Sequence, residues 1–163
     1  MEIIQATHLQ LPEISEMAQI IWPYNYKNMI SAAQIDYMLD LMYSNASLKE
    51  QLQKNHVFLI AKENKKPVGF ASYEANFENK QETRLHKIYV LPETQGKGIG
   101  RKMLYEVIRI SSKNGDKKIS LTVNRTNPAV QFYKNLGFKI TNSVDMEIGN
   151  GFLMEDYIMK KKL

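Results

Sequence analysis

Gly96, Gly98 and Gly100 alternate with Lys97 and Ile99, and Arg101 and Lys102 follow directly, so this stretch combines a pliable backbone with positive charge. Glycine allows positive φ and leaves no side chain between the main chain and a ligand. The loop lies where an extended segment gives way to a helix. Leu85 to Leu91 is rich in β-branched and aromatic residues and is stopped by Pro92, whereas Ile99, Met103, Leu104, Val107 and Ile108 follow helical spacing. A helix that begins at such a loop presents free N–H groups and the positive end of its dipole, the chemistry of a diphosphate site. Two other phosphate loops are excluded by spacing. A Walker loop requires G-x-x-x-x-G-K-[ST], and a dinucleotide fingerprint requires G-x-G-x-x-G; neither fits a strict alternation of glycines.

A second punctuated segment is NRTNPAVQFYKNLGF, Asn124 to Phe138. Asn127 is a good N-cap, Pro128 fits the first helical position, and Gly137 follows the last periodic residue, Leu136. A short strand, Ile119 to Val123, precedes it, so strand, turn and helix repeat as they do around the glycines.

The string Gln95-Gly96-Lys97-Gly98-Ile99-Gly100 resembles the Q/R-x-x-G-x-G/A signature of the GNAT superfamily, the Gcn5-related N-acetyltransferases, and the resemblance extends to Val90-Leu91-Pro92 and to Asn124 through Phe138. It implies an α/β (α+β) fold with a mixed central sheet flanked by helices, in which the fourth and fifth strands splay to admit a pantetheine arm. It also implies acetyl-CoA as co-substrate and no metal. Residue by residue, the cofactor would be held by Ile88, Tyr89 and Val90 on the strand and by Gln95, Gly96, Lys97, Gly98, Ile99, Gly100 and Arg101 in the loop. Asn124 and Asn127 would follow at the second motif, with Asn127 on the pantetheine arm, Tyr133 near the thioester sulfur and Lys134 towards the nucleotide.

The reaction so implied moves an acetyl group from a thioester to an amine. It needs an acceptor for the amine's proton, donors for the developing oxyanion and a proton for the departing thiolate. Tyr133 is the expected acid, because a phenol with an ordinary pKa of about 10 is protonated at neutral pH; its alternative role is apolar packing beside Phe132 and Leu136. His86, on the same strand face as Ile88 and Val90, is the expected base. Its alternative is a half-buried strand histidine bonded to a neighbour, and Glu74 and Glu82 are the other carboxylate candidates. A backbone N–H near Ile88 to Val90 would serve the oxyanion.

The acceptor is expected against the aromatic and methionine-rich segment of Trp22, Tyr24, Tyr26, Tyr37, Met38, Met42 and Tyr43. Met38 and Met42 belong to a core-facing stripe, which leaves Tyr26 and Tyr37, with Glu74, as the substrate-binding candidates. Asp36 and Asp40 lie close in sequence and suit a cationic, polyamine-like amine; exposed helix carboxylates otherwise serve only to solvate.

The elements around these motifs can be read from periodicity. Glu2 to Ala6 is a short strand. Ile14, Met17, Ala18 and Ile21 mark a helix ended by Pro23, and Ile35, Met38, Leu39 and Met42 mark another behind the Ser31-x-x-Gln34 capping box. Ser47-x-x-Glu50 opens a shorter helix from Leu48 to Lys54. Val57 to Ala61 and Val68 to Tyr73 are strands joined by the polar turn Lys62 to Pro67, and Phe138 to Ile148 and Phe152 to Met159 are strands around Gly149-Asn150-Gly151.

A chain of 163 residues is expected to form one domain, residues 1–163. The absence of cysteine excludes a disulfide framework, and the N-terminus lacks the basic-then-apolar order of a signal peptide, so cytoplasmic residence is the expectation. The net charge of +5 owes much to Lys160, Lys161 and Lys162 at the C-terminus, and scattered lysines without interleaved aromatics do not make a nucleic-acid groove. The expected partners are CoA and an amine acceptor, a primary amine of a small molecule or of a protein or peptide. Neither nucleic acid nor membrane is expected, and a homodimer is compatible with the resemblance. The competing reading from another class is a non-catalytic acyl-CoA-binding sensor.

Overall fold

The computed structural model describes all residues from Met1 to Leu163. It contains five α-helices and seven strands, and the strands follow the order β1-β2-β3-β4-β5-β7-β6 in one mixed sheet. The chain falls into two compact units, the first made of Met1–Glu74 and Lys87–Val107, the second of Ala75–His86 and Ile108–Leu163.

In the first unit β1 (Glu2–Gln5), β2 (Val57–Glu63) and β3 (Lys66–Glu74) are antiparallel neighbours. The β2–β3 turn is tighter than its polar composition suggests: Glu63 pairs with Lys66, and Asn64 and Lys65 both take positive φ, +49° and +66°, as a two-residue hairpin turn of the primed kind requires. Helix α1 spans Leu11–Tyr26 and runs through Pro23, where the sequence places its end. Pro23 lies in the last turn, so its missing N–H removes only one late intrahelical bond, and its own carbonyl still accepts from the Lys27 N–H at 3.2 Å. Helix α2 (Ala32–Tyr43) starts where expected, with Ser31 Oγ accepting from the Gln34 N–H at 3.1 Å.

Helix α3 (Asn45–Gln53) begins earlier than Ser47 suggests. Ser44 is its cap, accepting from the Ser47 N–H at 3.2 Å, and Ser47 instead donates its hydroxyl to the Leu41 carbonyl at 2.7 Å. The apolar stripes Ile14, Ile21, Met38, Leu48, Phe58, Ile60 and Phe70 are buried in this unit, as are Ile99, Met103 and Leu104 of helix α4 (Ile99–Lys113). Gly69 permits that packing, since a Cβ there would stand 2.7 Å from the Tyr89 carbonyl oxygen and 3.1 Å from Met103 Cε.

Strand β4 (Glu82–Val90) enters the second unit at its start and the first at its end. Within the second unit its residues Glu82 to Leu85 pair in parallel with Lys118 to Leu121 of β5 (Lys118–Asn124). β5 pairs antiparallel with β7 (Phe152–Lys162), which pairs antiparallel with β6 (Lys139–Gly149). The β6–β7 turn is the expected one, with Gly149, Asn150 and Gly151 all at positive φ. Helix α5 (Ala129–Asn135) is short, and Gly137 at φ +88° follows it as its sequence predicts.

One buried charge organises this second unit. Glu82, 2% exposed, accepts from the Ser120 hydroxyl and from Lys160 Nζ at 3.0 Å, and lies within 3.3 Å of Lys118 Nζ and 3.7 Å of Arg84. Burial alone would raise its pKa; the Ser120 hydroxyl and the Lys160 ammonium outweigh that and hold the carboxyl below its ordinary value. A carboxylate so occupied is a structural hub rather than a proton acceptor. A depressed folded-state pKa gives stability above the unfolded-state value, about 4.3, that disappears as pH falls through the folded-state value. Glu82→Gln should therefore cost about 2 kcal/mol at pH 7, less than a wholly buried pair because the lysines regain water. Urea titrations at pH 7 and below pH 4 check this, the gap between variant and wild type closing at the lower pH.

Candidate active site

The glycine loop joins a short 3-10 turn, Pro92–Thr94, to the first turn of α4. Thr94 is buried and donates its hydroxyl to the Leu91 carbonyl at 2.9 Å, which fixes the strand's exit, and the Gln95 amide donates to Asn25 Oδ1 at 3.2 Å. Gly96 and Gly98 take φ of +79° and +76°, a region side chains other than glycine enter at a cost. A Cβ on either would meet nothing within 4 Å, so it is conformation and open space outside the loop, not packing, that reserve these positions for glycine. Gly100 differs: it has ordinary φ, and a Cβ would make van der Waals contact with Val90 at 3.5 Å. Lys102 makes the helix bond to the Gly98 carbonyl at 3.1 Å, and the N–H groups just before it have no carbonyl of their own helix to reach. Lys97, Arg101 and Lys102 are exposed at the same turn. Such a cradle fits an anionic diphosphate.

The second motif is folded as its residues predict. Asn127 Oδ1 caps α5 by accepting from the Ala129 N–H at 2.9 Å, while Pro128, already helical at φ −55°, leads into the helix one residue before its first turn is complete. Asn124 Oδ1 accepts from the Thr126 N–H at 2.9 Å and from its hydroxyl at 2.7 Å. Both asparagines thus spend their oxygens on the loop and keep amide N–H groups to offer a ligand. Tyr133 is 7% exposed, its ring edge-on to Phe132 at 5.3 Å and to Phe138 at 5.6 Å. Lys134 is exposed. His86, half-buried on β4, stacks edge-on to Phe77 at 6.0 Å, and the Arg84 guanidinium covers the same ring at 4.6 Å.

In the first unit the tyrosine hydroxyls of Tyr26 and Tyr89 are 2.9 Å apart, and Trp22 packs on Tyr26 at 4.5 Å, on Tyr43 at 5.7 Å and on Tyr89 at 6.0 Å. Tyr26 is therefore drawn into an aromatic cluster that also takes the side chain of Tyr89. Tyr37 is half-buried. A cleft of about 190 Å³ is lined by Asp36 and Asp40 together with Ser15, Gln19, Leu39, Tyr43 and Ser44; Tyr26 and Tyr37 are not among its walls.

Residues that sequence reasoning missed lie in the first unit, one of them beside Glu74. Its Oε2 lies 3.7 Å from His56 Nε2. Burial, followed by the charges of Lys87 and Lys54, pushes His56 down to about 4, so the imidazole is neutral at physiological pH and the contact is not an ion pair there. Lys87 is 8% exposed, donates to Gln51 Oε1 at 2.6 Å and faces the rings of Tyr43 at 5.5 Å and Phe58 at 6.0 Å; burial pushes it down to about 8. Gln51 is itself held by the Met42 carbonyl at 2.8 Å and Ser47 Oγ at 3.0 Å. The only sequence signal for this network was a lysine at an apolar position of β4.

Comparison with known proteins agrees with the architecture. The family model of the acetyltransferase (GNAT) domain matches residues 27–161. The chain is similar to a spermidine N(1)-acetyltransferase of Thermoplasma acidophilum, 28% identical over 160 residues, covering 94% of this chain and 95% of the relative. It is also similar to the L-amino acid N-acyltransferase MnaT of Escherichia coli, 28% identical over 142 residues, with 85% and 82% covered. Against the uncharacterized N-acetyltransferase MJ1207 of Methanocaldococcus jannaschii it is 33% identical over 101 residues, 59% of this chain but only 42% of that protein's length. Among solved structures, the PaiA N-acetyltransferase of Thermoplasma acidophilum in complex with coenzyme A superposes with a TM-score of 0.82 at 28% identity, over 99% and 98% of the two chains. With the glycine cradle, the second motif and a family model spanning most of its length, the chain belongs to the GNAT family of acetyltransferases.

Proposed function

We propose that residues 1–163 act as one acetyl-CoA-dependent N-acetyltransferase domain whose acceptor is a primary amine carrying further positive charge. The observation that carries this reading is the glycine cradle: Gly96 and Gly98 hold positive φ immediately before α4, with open space where side chains would stand. Acetyl-CoA, when bound, supplies an activated acetyl thioester. The N–H groups and charges from Gln95 to Arg101 hold its diphosphate. Backbone groups of Ile88, Tyr89 and Val90, with the amides of Asn124 and Asn127, receive the pantetheine arm, and Lys134 serves the nucleotide end. Tyr133 donates a proton to the leaving sulfur and His86 takes one from the amine, so the chain needs no other acid or base. Glu74, Tyr26 and Tyr37 contribute to the acceptor side.

The cationic acceptor is supported by the relative named for spermidine, which aligns nearly end to end, and by Asp36 and Asp40 on one cleft. The relative named for L-amino acids keeps a second acceptor class in play. Release of CoA thiol, followed with purified protein, acetyl-CoA and panels of polyamines, amino acids and peptides, decides between them. Turnover is expected with polyamines well above the other panels. Turnover confined to amino acids or peptides would displace the polyamine reading, and CoA binding without turnover on any amine would favour the sensor.

A further inference from the structure

Ahead of β4 the second unit carries a run of left-handed backbone that no glycine accounts for. Asn76, Glu78, Asn79 and Gln81 take φ of +49°, +53°, +57° and +50°, around the 3-10 turn Phe77–Asn79. Asparagine enters this region readily, but glutamate and glutamine do so at a cost that persists only where the surroundings over-determine the conformation. Here they do. Asp116, 6% exposed, accepts from the Asn76 N–H at 3.1 Å and from the Thr83 hydroxyl at 2.6 Å. Asn76 Oδ1 accepts from the Gln81 N–H at 3.1 Å, and the Gln81 carbonyl accepts from the Lys117 N–H at 2.7 Å. What this clamped run presents is Phe77. Its half-buried ring meets the His86 imidazole edge-on, with centroids 6.0 Å and planes 77° apart, and the Arg84 guanidinium covers it at 4.6 Å. Arg84 is fixed in turn: its Nε donates to Ser120 Oγ at 2.8 Å, and its Nη2 lies 3.7 Å from the buried Glu82 carboxylate. Arg84 and His86 fall on the same face of β4. A line of contacts therefore runs from a buried carboxylate, through guanidinium and phenyl ring, to the imidazole.

We propose that Phe77 is a positioning residue for acetyl transfer: its ring, gripped by Arg84, fixes the His86 imidazole in the orientation that takes the proton from the acceptor amine. This rests on the acetyltransferase reading above, with His86 as its base. An imidazole on a strand turns about two side-chain bonds, and a general base works only within hydrogen-bond reach of the proton it takes. Misplacing a reacting group by about 1 Å can cost about a hundredfold in rate. Phe77 acts through the imidazole, so its removal slows the chemical step and leaves acetyl-CoA binding alone.

The test is a double-mutant cycle on Phe77 and His86, following release of CoA thiol with acetyl-CoA and spermidine. His86→Gln should keep a slow, measurable rate, since loss of a general base costs about 10²–10⁴-fold. Phe77→Ala should lower kcat about 30-fold with the KM for acetyl-CoA within about twofold, and Phe77→Tyr, which keeps the ring, should recover most of the rate. In the His86→Gln background Phe77→Ala should change kcat by less than about twofold, because a residue that only aims the imidazole has nothing left to aim. Phe77→Leu keeps apolar bulk without a flat ring; it should show the same loss, and it carries the cycle if Phe77→Ala does not fold. An equal loss in both backgrounds would make Phe77 a structural residue and overturn the proposal. So would the wild-type rate in Phe77→Ala or Phe77→Leu beside a slow His86→Gln. The wild-type rate in His86→Gln would remove the base role and this inference with it, while leaving the enzyme an acetyltransferase. A wild type inactive on spermidine would overturn the polyamine acetyltransferase reading together with this inference.

Discussion

Gly98→Val is expected to abolish coenzyme A binding while the chain still folds. The residue sits at φ +76°, where a β-branched side chain is strained by about 1–3 kcal/mol, and the loop escapes that strain by leaving the backbone conformation that leads into α4. The isopropyl group would also enter space that is open at this position. Affinity for CoA should fall at least about a hundredfold by calorimetry, the scale of losing two charge-assisted hydrogen bonds. The melting temperature should move by only a few degrees, because nothing packs against the site. Gly98→Asn separates the two causes: asparagine tolerates positive φ better than valine, so retained binding there assigns the effect to backbone conformation, and lost binding assigns it to occupied space. Unchanged CoA affinity in a folded Gly98→Val protein would remove the cradle from the account.

The second large effect is expected at Tyr133. Phenylalanine keeps the edge-on packing against Phe132 and Phe138, so Tyr133→Phe removes a proton donor from a buried position without opening a cavity. Turnover should fall about a hundredfold or more while CoA affinity stays within about twofold. Pre-steady-state measurement of thiol release distinguishes a slowed chemical step from slowed product release. Wild-type turnover in the variant would reduce Tyr133 to a core aromatic and pass protonation of the sulfur to water.

What could be read from sequence was local. Gly96 and Gly98, the Ser31 cap, the Asn127 cap and the Gly149–Gly151 turn each declare a backbone conformation through residues a few positions apart, and the structure places each as read. The misplacements were local rules overridden by their surroundings. Pro23 sits late enough in α1 to be tolerated, and Ser44 caps α3 ahead of the more box-like Ser47. Nothing in the sequence pairs Lys87 with Gln51, 36 residues away, or surrounds Glu82 with Ser120 and Lys160. Such contacts depend on strand register, and single-residue patterning says little about register across non-adjacent segments. Asp156 illustrates the consequence. It looks like one more charge on a C-terminal strand rich in lysine, and only its place between Asn124 and Val144 marks it as buried and unpaired.

The most direct test of the central claim is to incubate the purified protein with acetyl-CoA and spermidine and weigh the products by mass spectrometry. Spermidine one acetyl group heavier and free CoA in equal amount are expected, formed in proportion to enzyme and absent with Gly98→Val. Acetyl-CoA consumed at the uncatalysed rate, with spermidine and the rest of the amine panel unmodified, would contradict it.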